Sequence, residues 1–242
     1  MFAPRPETEL VVETALRLAP AARRILDLGT GSGAIAAALA RELPAARVCA
    51  SDVSADALAV ARANVARHAP GVALVRGDLL APFRAAAFDL VAANPPYVTD
   101  AELGGLAPEV RDHEPRVALA AGPDGLVALG RVVAEAPRVL APGGWLVMEV
   151  GAGQAAAVRR LAEAGAERRQ AARGGSRAGV DLGRAAGAAR AFVRSARSAR
   201  APDGPPAELD TGRYVRIEVV RDHAGIARVL ALRLGGGRWT RS

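Results

Sequence analysis

Asn94-Pro95-Pro96-Tyr97 carries the most chemistry in this 242-residue sequence. Asn94 offers a side-chain carbonyl as an acceptor. Pro95 offers a backbone carbonyl and has no N–H of its own. Two acceptors held by two prolines can take both hydrogens of an NH2 group. An amide or aryl amine nitrogen has a delocalised lone pair, and gripping its hydrogens orients that pair toward an electrophilic carbon. Such a site works by orientation and electrostatic preorganisation rather than by a strong base. Tyr97 adds a flat wall for a planar group. The plainer reading, a Pro-Pro turn that merely ends a strand, is the weaker one because a cofactor-type loop lies upstream.

That loop is Ile25-Leu-Asp-Leu-Gly-Thr-Gly-Ser-Gly-Ala34, which sets Gly29, Thr30, Gly31, Ser32 and Gly33 between an apolar run and an Ala-rich helical stretch. Glycines there allow a tight turn and a close approach of ligand to backbone. Asp52 lies 19 residues after Gly33, where a carboxylate can accept both hydroxyls of a ribose. Gly29-x-Gly31-x-x-Ala34 is also a permitted nicotinamide variant, so the loop alone says only that the cofactor contains adenosine. Asp78, in Arg76-Gly-Asp-Leu-Leu80, can accept from an adenine amine or can simply cap a turn.

Elements must deliver these residues to one place. Apolar runs at 24–28, 48–53, 72–76, 88–93 and 145–150 read as strands. Helical periods at 7–18, 34–43, 54–67, 125–140 and 154–170 alternate with them. Alternation of this kind implies a doubly wound parallel sheet, whose ligands bind at the carboxyl ends of the strands. Pro137 is expected to end or kink its helix, and Pro142-Gly143-Gly144 to form a turn before the fifth strand. Residues 214–220 and 228–234 read as a closing hairpin. The organisation expected is a catalytic core over 1–170, a low-complexity Arg/Ala/Gly-rich insertion over 171–212, the hairpin over 213–234 and a tail over 235–242.

Composition narrows the class. The net charge is +7, and all 32 basic residues are arginine. Residues 1–158 carry a net −3 and residues 159–242 a net +10, so the basic excess sits in the last third. A basic tail can grip phosphate backbones, yet here it has little aromatic interleaving. The single cysteine, Cys49, forms no internal disulfide and reads as strand packing; Trp145 reads as core or sheet-edge packing. His68, His113 and His223 lack ligand spacing, so no metal site is expected. No apolar stretch is long enough to span a bilayer and no secretory signal is visible. A dehydrogenase would need a His–Asp or Tyr–Lys pair, and the chain has no lysine.

The glycine loop, Asp52 and Asn94-Pro-Pro-Tyr97 look like class I S-adenosylmethionine-dependent methyltransferases acting on planar NH2 groups. Five further segments sharpen this: Pro4-Arg-Pro-Glu-Thr-Glu-Leu10, Glu109-Val-Arg-Asp-His-Glu-Pro-Arg116, Gly122-Pro-Asp-Gly125, Ala141-Pro-Gly-Gly-Trp145 leading to Met148-Glu149, and Val219-Val-Arg-Asp-His-Ala-Gly-Ile226. Together they resemble the HemK-like release-factor glutamine N5-methyltransferases over about residues 1–165 and 213–234. The resemblance implies an α/β fold with a Rossmann-like sheet, mostly parallel, closed by an antiparallel hairpin. It implies S-adenosyl-L-methionine held by Gly29, Thr30, Gly31, Ser32, Gly33, Asp52, Asp78, Leu79 and Asn94. It also implies a substrate glutamine held by Asn94, Pro95, Pro96 and Tyr97, with Asn94, Pro95 and Tyr97 as the catalytic set. Glu7 and Glu9 would support the site. The partner would be a peptide chain release factor, met by a cytoplasmic monomer. An amino-methyltransferase of nucleic-acid bases, using the basic tail, is the alternative; a cofactor-binding remnant without turnover is a third reading. The sequence departs from the family where it begins almost at the Pro-Arg-Pro-Glu segment, which a helical domain usually precedes, and where 171–212 interrupts the pattern.

Overall fold

The computed structural model describes residues 6–99, 124–174 and 214–236. Seven strands form one sheet: β1 (Arg24–Leu28), β2 (Arg47–Asp52), β3 (Ala73–Arg76), β4 (Phe88–Ala93), β5 (Leu140–Glu149), β6 (Tyr214–Arg221) and β7 (Ala227–Leu234). Their spatial order is β3-β2-β1-β4-β5-β7-β6. The first five run parallel, and β7 is antiparallel to both β5 and β6. The helices are α1 (Pro6–Leu18), α2 (Ala34–Glu42), α3 (Ala55–His68), α4 (Val127–Val139) and α5 (Ala155–Gly174). The doubly wound sheet with its closing hairpin is therefore the expected one.

The central strands are mostly apolar because both of their faces are covered. Successive side chains point to opposite faces. Leu26, Leu28, Val91, Ala93, Leu146 and Met148 pack with Leu129, Val132 and Val133 of α4 and Val158 of α5. Ile25, Leu90, Ala92, Trp145 and Val147 pack on the other side with Val11 and Ala15 of α1 and Ile35 and Leu39 of α2. Ser54 caps α3 by accepting from the Ala57 amide at 3.2 Å.

Two segments depart most from the sequence reading. The Pro142-Gly-Gly turn lies inside β5, which starts at Leu140 and slips register between Phe88 and Leu90 of its neighbour. Gly143 takes φ +80°, and a Cβ on Gly144 would meet the Asp89 carbonyl at 3.0 Å. The glycines thus let the strand bulge without leaving the sheet. α5 continues to Gly174, past the expected limit at 170; Ala and Arg keep helix propensity there. Pro137 lies inside α4, two residues before its end at Val139. A proline at 137 removes the N–H that would serve the Val133 carbonyl. The Tyr214 hydroxyl donates to that carbonyl instead, at 2.9 Å. Tyr214→Phe should therefore cost about 1–2 kcal/mol of stability in urea denaturation. Adding Pro137→Ala, which restores the helical donor, should recover most of it.

Candidate active site

The glycine loop, Asp52, Asp78, Leu79 and the Asn94–Tyr97 turn lie at the carboxyl edge of the sheet. The glycine loop follows β1, Asp52 ends β2, Asp78 follows β3 and Asn94 follows β4. Gly29, Gly31 and Gly33 all have positive φ, at +69°, +54° and +84°. At Gly31 the space a Cβ would enter is open, whereas Gly33 is packed against Ala61 and Val65 of α3. One glycine thus serves the opening and another the helix contact. The Asn64 side chain donates to the Ser32 carbonyl at 2.8 Å and pins the loop from α3.

Asp52 is fixed by two backbone amides: Gly31 donates to Oδ2 at 3.0 Å and Ser54 to Oδ1 at 2.9 Å. Each oxygen keeps acceptor capacity, as ribose binding requires. Asp78 is exposed and held in a fork by Arg131 of α4, at 2.8 and 3.1 Å. Leu79 beside it has φ +44°. Arg131 was invisible as a site residue in sequence, being one arginine on a helix that starts beyond the candidate motifs.

Asp27 is a fully buried acid inside β1. Its Oδ2 accepts from Thr30 Oγ1 at 2.5 Å and from the Ala36 amide at 3.0 Å. Its Oδ1 has no partner among the described residues. Burial pushes its carboxyl up to about 6; the Thr30 and Ala36 bonds oppose the rise, and the charge on Asp52 adds to it. The folded pKa is above the unfolded one, so protonated Asp27 favours the folded state. That stability is present below pH 4 and is lost as pH rises through 6. Relative to Asp27→Asn, the unliganded wild type should lose about 2 kcal/mol between pH 4 and pH 7. Chemical denaturation of both proteins at each pH measures it. A lone acid in an apolar strand was the available sequence signal.

Asn94 follows β4, and its backbone carbonyl lies near the glycine loop: a Cβ on Gly29 would meet it at 3.8 Å. The Asn94 side-chain NH2 donates to Thr8 Oγ1 at 3.3 Å. Thr8 Oγ1 donates to Glu149 Oε2 at 3.1 Å, and the Tyr97 hydroxyl donates to Glu149 Oε1 at 2.9 Å. Glu149 ends β5 and is 2% exposed. α1 thus places Thr8 where β4 and β5 finish. Gln154 donates to the Tyr97 carbonyl at 2.9 Å and accepts from the Gly151 amide at 2.9 Å. A Cβ on Gly125 would meet that same Tyr97 carbonyl at 2.4 Å, so Gly125 alone can pack there. Pro95 is buried and Pro96 half-buried, which holds the turn rigid.

The structure therefore brings together the glycine loop, Asp52, Asp78, Leu79 and the Asn94–Tyr97 turn. Sequence reading missed the roles of Asp27, Thr8, Glu149, Gln154 and Arg131. The side chain of Glu7, residues 1–5, the 109–116 segment with His113, and most of the 171–212 stretch lie outside the described residues. Glu9 is exposed on α1. Cys49 is half-buried in β2, its thiol pushed up to about 11 by burial and by Asp27. Among the described residues no helix is long and apolar enough to cross a membrane.

A family model described as Methyltransferase small domain matches residues 6–107. The release factor glutamine methyltransferase of Geobacter sulfurreducens is 50% identical over 155 residues, which cover 64% of this chain and 55% of that protein. Its counterpart in Gloeobacter violaceus is 49% identical over 162 residues, covering 65% and 57%. The chain thus spans little more than half the length of these relatives. Among solved structures, a methyltransferase from Pyrococcus furiosus matches with TM-score 0.56 at 17% identity, over 98% of this chain and 88% of that one. TrmN from Thermus thermophilus matches with TM-score 0.52 at 21% identity, over 95% and 52%. Both show the fold, that of Rossmann-like methyltransferases. About half of the aligned positions are identical to those release factor glutamine methyltransferases, over nearly two thirds of this chain.

Proposed function

We propose that this chain transfers a methyl group from S-adenosyl-L-methionine to the side-chain amide nitrogen of a glutamine in a peptide chain release factor. The observation that carries this is the placement of the Asn94 turn against the glycine loop, in a chain 50% identical over 155 residues to a release factor glutamine methyltransferase. The cradle fits the cofactor. Asp52 is half-buried with acceptor capacity to spare, the buried Asp27 Oδ1 has no partner among the described residues, and the space beside the Gly31 backbone is open. Gly29–Gly33 would hold the amino-acid and ribose portions, Asp52 the ribose hydroxyls, and Asp78 with Leu79 the adenine. When bound, the cofactor supplies a methyl carbon activated by a sulfonium, which departs as a neutral thioether.

The chain's own residues do the rest. Asn94 Oδ1 and the Pro95 carbonyl accept the two amide hydrogens of the substrate glutamine. Tyr97, clamped by Gln154, closes one side of the substrate group. The amide hydrogens become more acidic as the N–CH3 bond forms, so both acceptors bind more strongly in the transition state than in the ground state. One proton leaves the nitrogen as the product N5-methylglutamine forms. A release factor substrate places this reaction in the cytoplasm.

The test offers labelled S-adenosylmethionine with purified release factor, with a variant whose Gly-Gly-Gln glutamine is alanine, and with bulk RNA and DNA. Label on the wild-type factor alone is expected. Label on nucleic acid instead would overturn the glutamine assignment.

A further inference from the structure

The hydrogen-bond chain behind the substrate turn has a direction, and that direction carries information. A carboxylate has no proton to give, so both hydroxyls facing Glu149 must donate to it. Thr8 has one hydroxyl proton, and Glu149 Oε2 takes it at 3.1 Å. Toward Asn94, at 3.3 Å, Thr8 can then only accept. Asn94 must therefore present its NH2 to Thr8. Its Oδ1, at the opposite end of the same planar amide, is committed to the other side. Without this constraint the two ends of an asparagine amide are nearly the same size, and the group can turn over. A turned-over amide would offer donors where the substrate amide also offers donors, and the pair would repel.

We propose that Thr8 and Glu149 are positioning residues that fix the orientation of the Asn94 amide, and so make the turn selective for an NH2-bearing substrate. The proposal rests on the methyltransfer reading of the same site. It concerns no group that touches the substrate; the relay acts through Asn94. Thr8 comes from the first helix and Glu149 from the fifth strand, 141 residues apart, so the constraint spans the sheet edge rather than the turn itself. Tyr97, the other donor to Glu149, is oriented by the same carboxylate.

Three variants test it: Thr8→Val, which keeps shape and removes the hydroxyl, Thr8→Ser, which restores the hydroxyl, and Glu149→Gln, which gives the carboxylate a donor. Thr8→Val should lower kcat about a hundredfold with KM for the release factor and cofactor affinity nearly unchanged, while Thr8→Ser stays within about threefold of wild type. Glu149→Gln should resemble Thr8→Val, and the double variant should be no worse than the weaker single, because both break one relay. A second readout needs no turnover. In nitrogen-15 spectra, assigned with Asn94→Ala, one Asn94 side-chain proton should be protected from exchange in wild type and Thr8→Ser and unprotected in Thr8→Val. Equal protection in all three, or wild-type kcat in Thr8→Val, would overturn the relay. If wild type labels no release factor but the protection pattern holds, the substrate reading fails and the relay stands.

Discussion

Asn94→Ala is expected to lower kcat for methyl transfer roughly a thousandfold, the scale seen when one preorganised polar group is removed from a developing charge. Cofactor affinity should change by less than about threefold, since the Asn94 backbone rather than its side chain faces Gly29. The split matters. On the proposed reading the side chain serves the substrate nitrogen, while the neighbouring loop serves the cofactor. Single-turnover methylation with labelled cofactor gives the rate, and calorimetry gives the affinity. A loss confined to cofactor affinity would move Asn94 out of the substrate site and into the cofactor cradle. Thr8, left without its donor, still bonds to Glu149, so the fold should survive the change.

Asp52→Ala is expected to have the opposite signature: a cofactor Kd about a hundredfold weaker, with kcat at saturating cofactor within a few-fold of wild type. The figure follows from losing charge-assisted bonds of about 1.5–3 kcal/mol, each 1.4 kcal/mol being tenfold. Asp52 also braces the Gly31 and Ser54 amides, so part of the loss is a looser loop. Asp52→Asn, which keeps one acceptor, should fall between. Equilibrium binding of the cofactor to all three proteins decides it. An unchanged Kd in Asp52→Ala would show that the ribose lies elsewhere along the edge.

The sheet was legible because each central strand is buried on both faces and so reads as a mostly apolar run, as in 24–28 and 88–93, interrupted by Asp27 and Asp89. The glycine loop and the Asn-Pro-Pro-Tyr turn were legible because their chemistry is local: a few adjacent residues contain both the backbone geometry and the functional groups. Thr8 and Glu149 were not, because their role exists only once α1 lies across the ends of β4 and β5. Each reads alone as a helix residue or a strand end. Arg131 on Asp78 was hidden for the same reason. Pro137 lies two residues before the helix end, but the sequence did not show that a hydroxyl from a strand 77 residues later serves the carbonyl the proline leaves without its helical donor. Pro142-Gly-Gly misled, since a bulge and a turn share the same residues.

The place of β7 bears on how the protein is made. β7 inserts between β5 and β6, and Glu149 pairs with Val229 across that junction. When β5 has just been synthesised, residues 150–234 are still to be added. At about 5–20 residues per second, that leaves the edge of β5 unpaired for several seconds. The edge is apolar on both faces, with Trp145 and Val147 on one and Leu146 and Met148 on the other. A nascent chain stalled in that window exposes a strand ready to pair with a neighbour's. Ribosome-associated chaperones that shield apolar strands should therefore engage this chain between the emergence of β5 and that of β7.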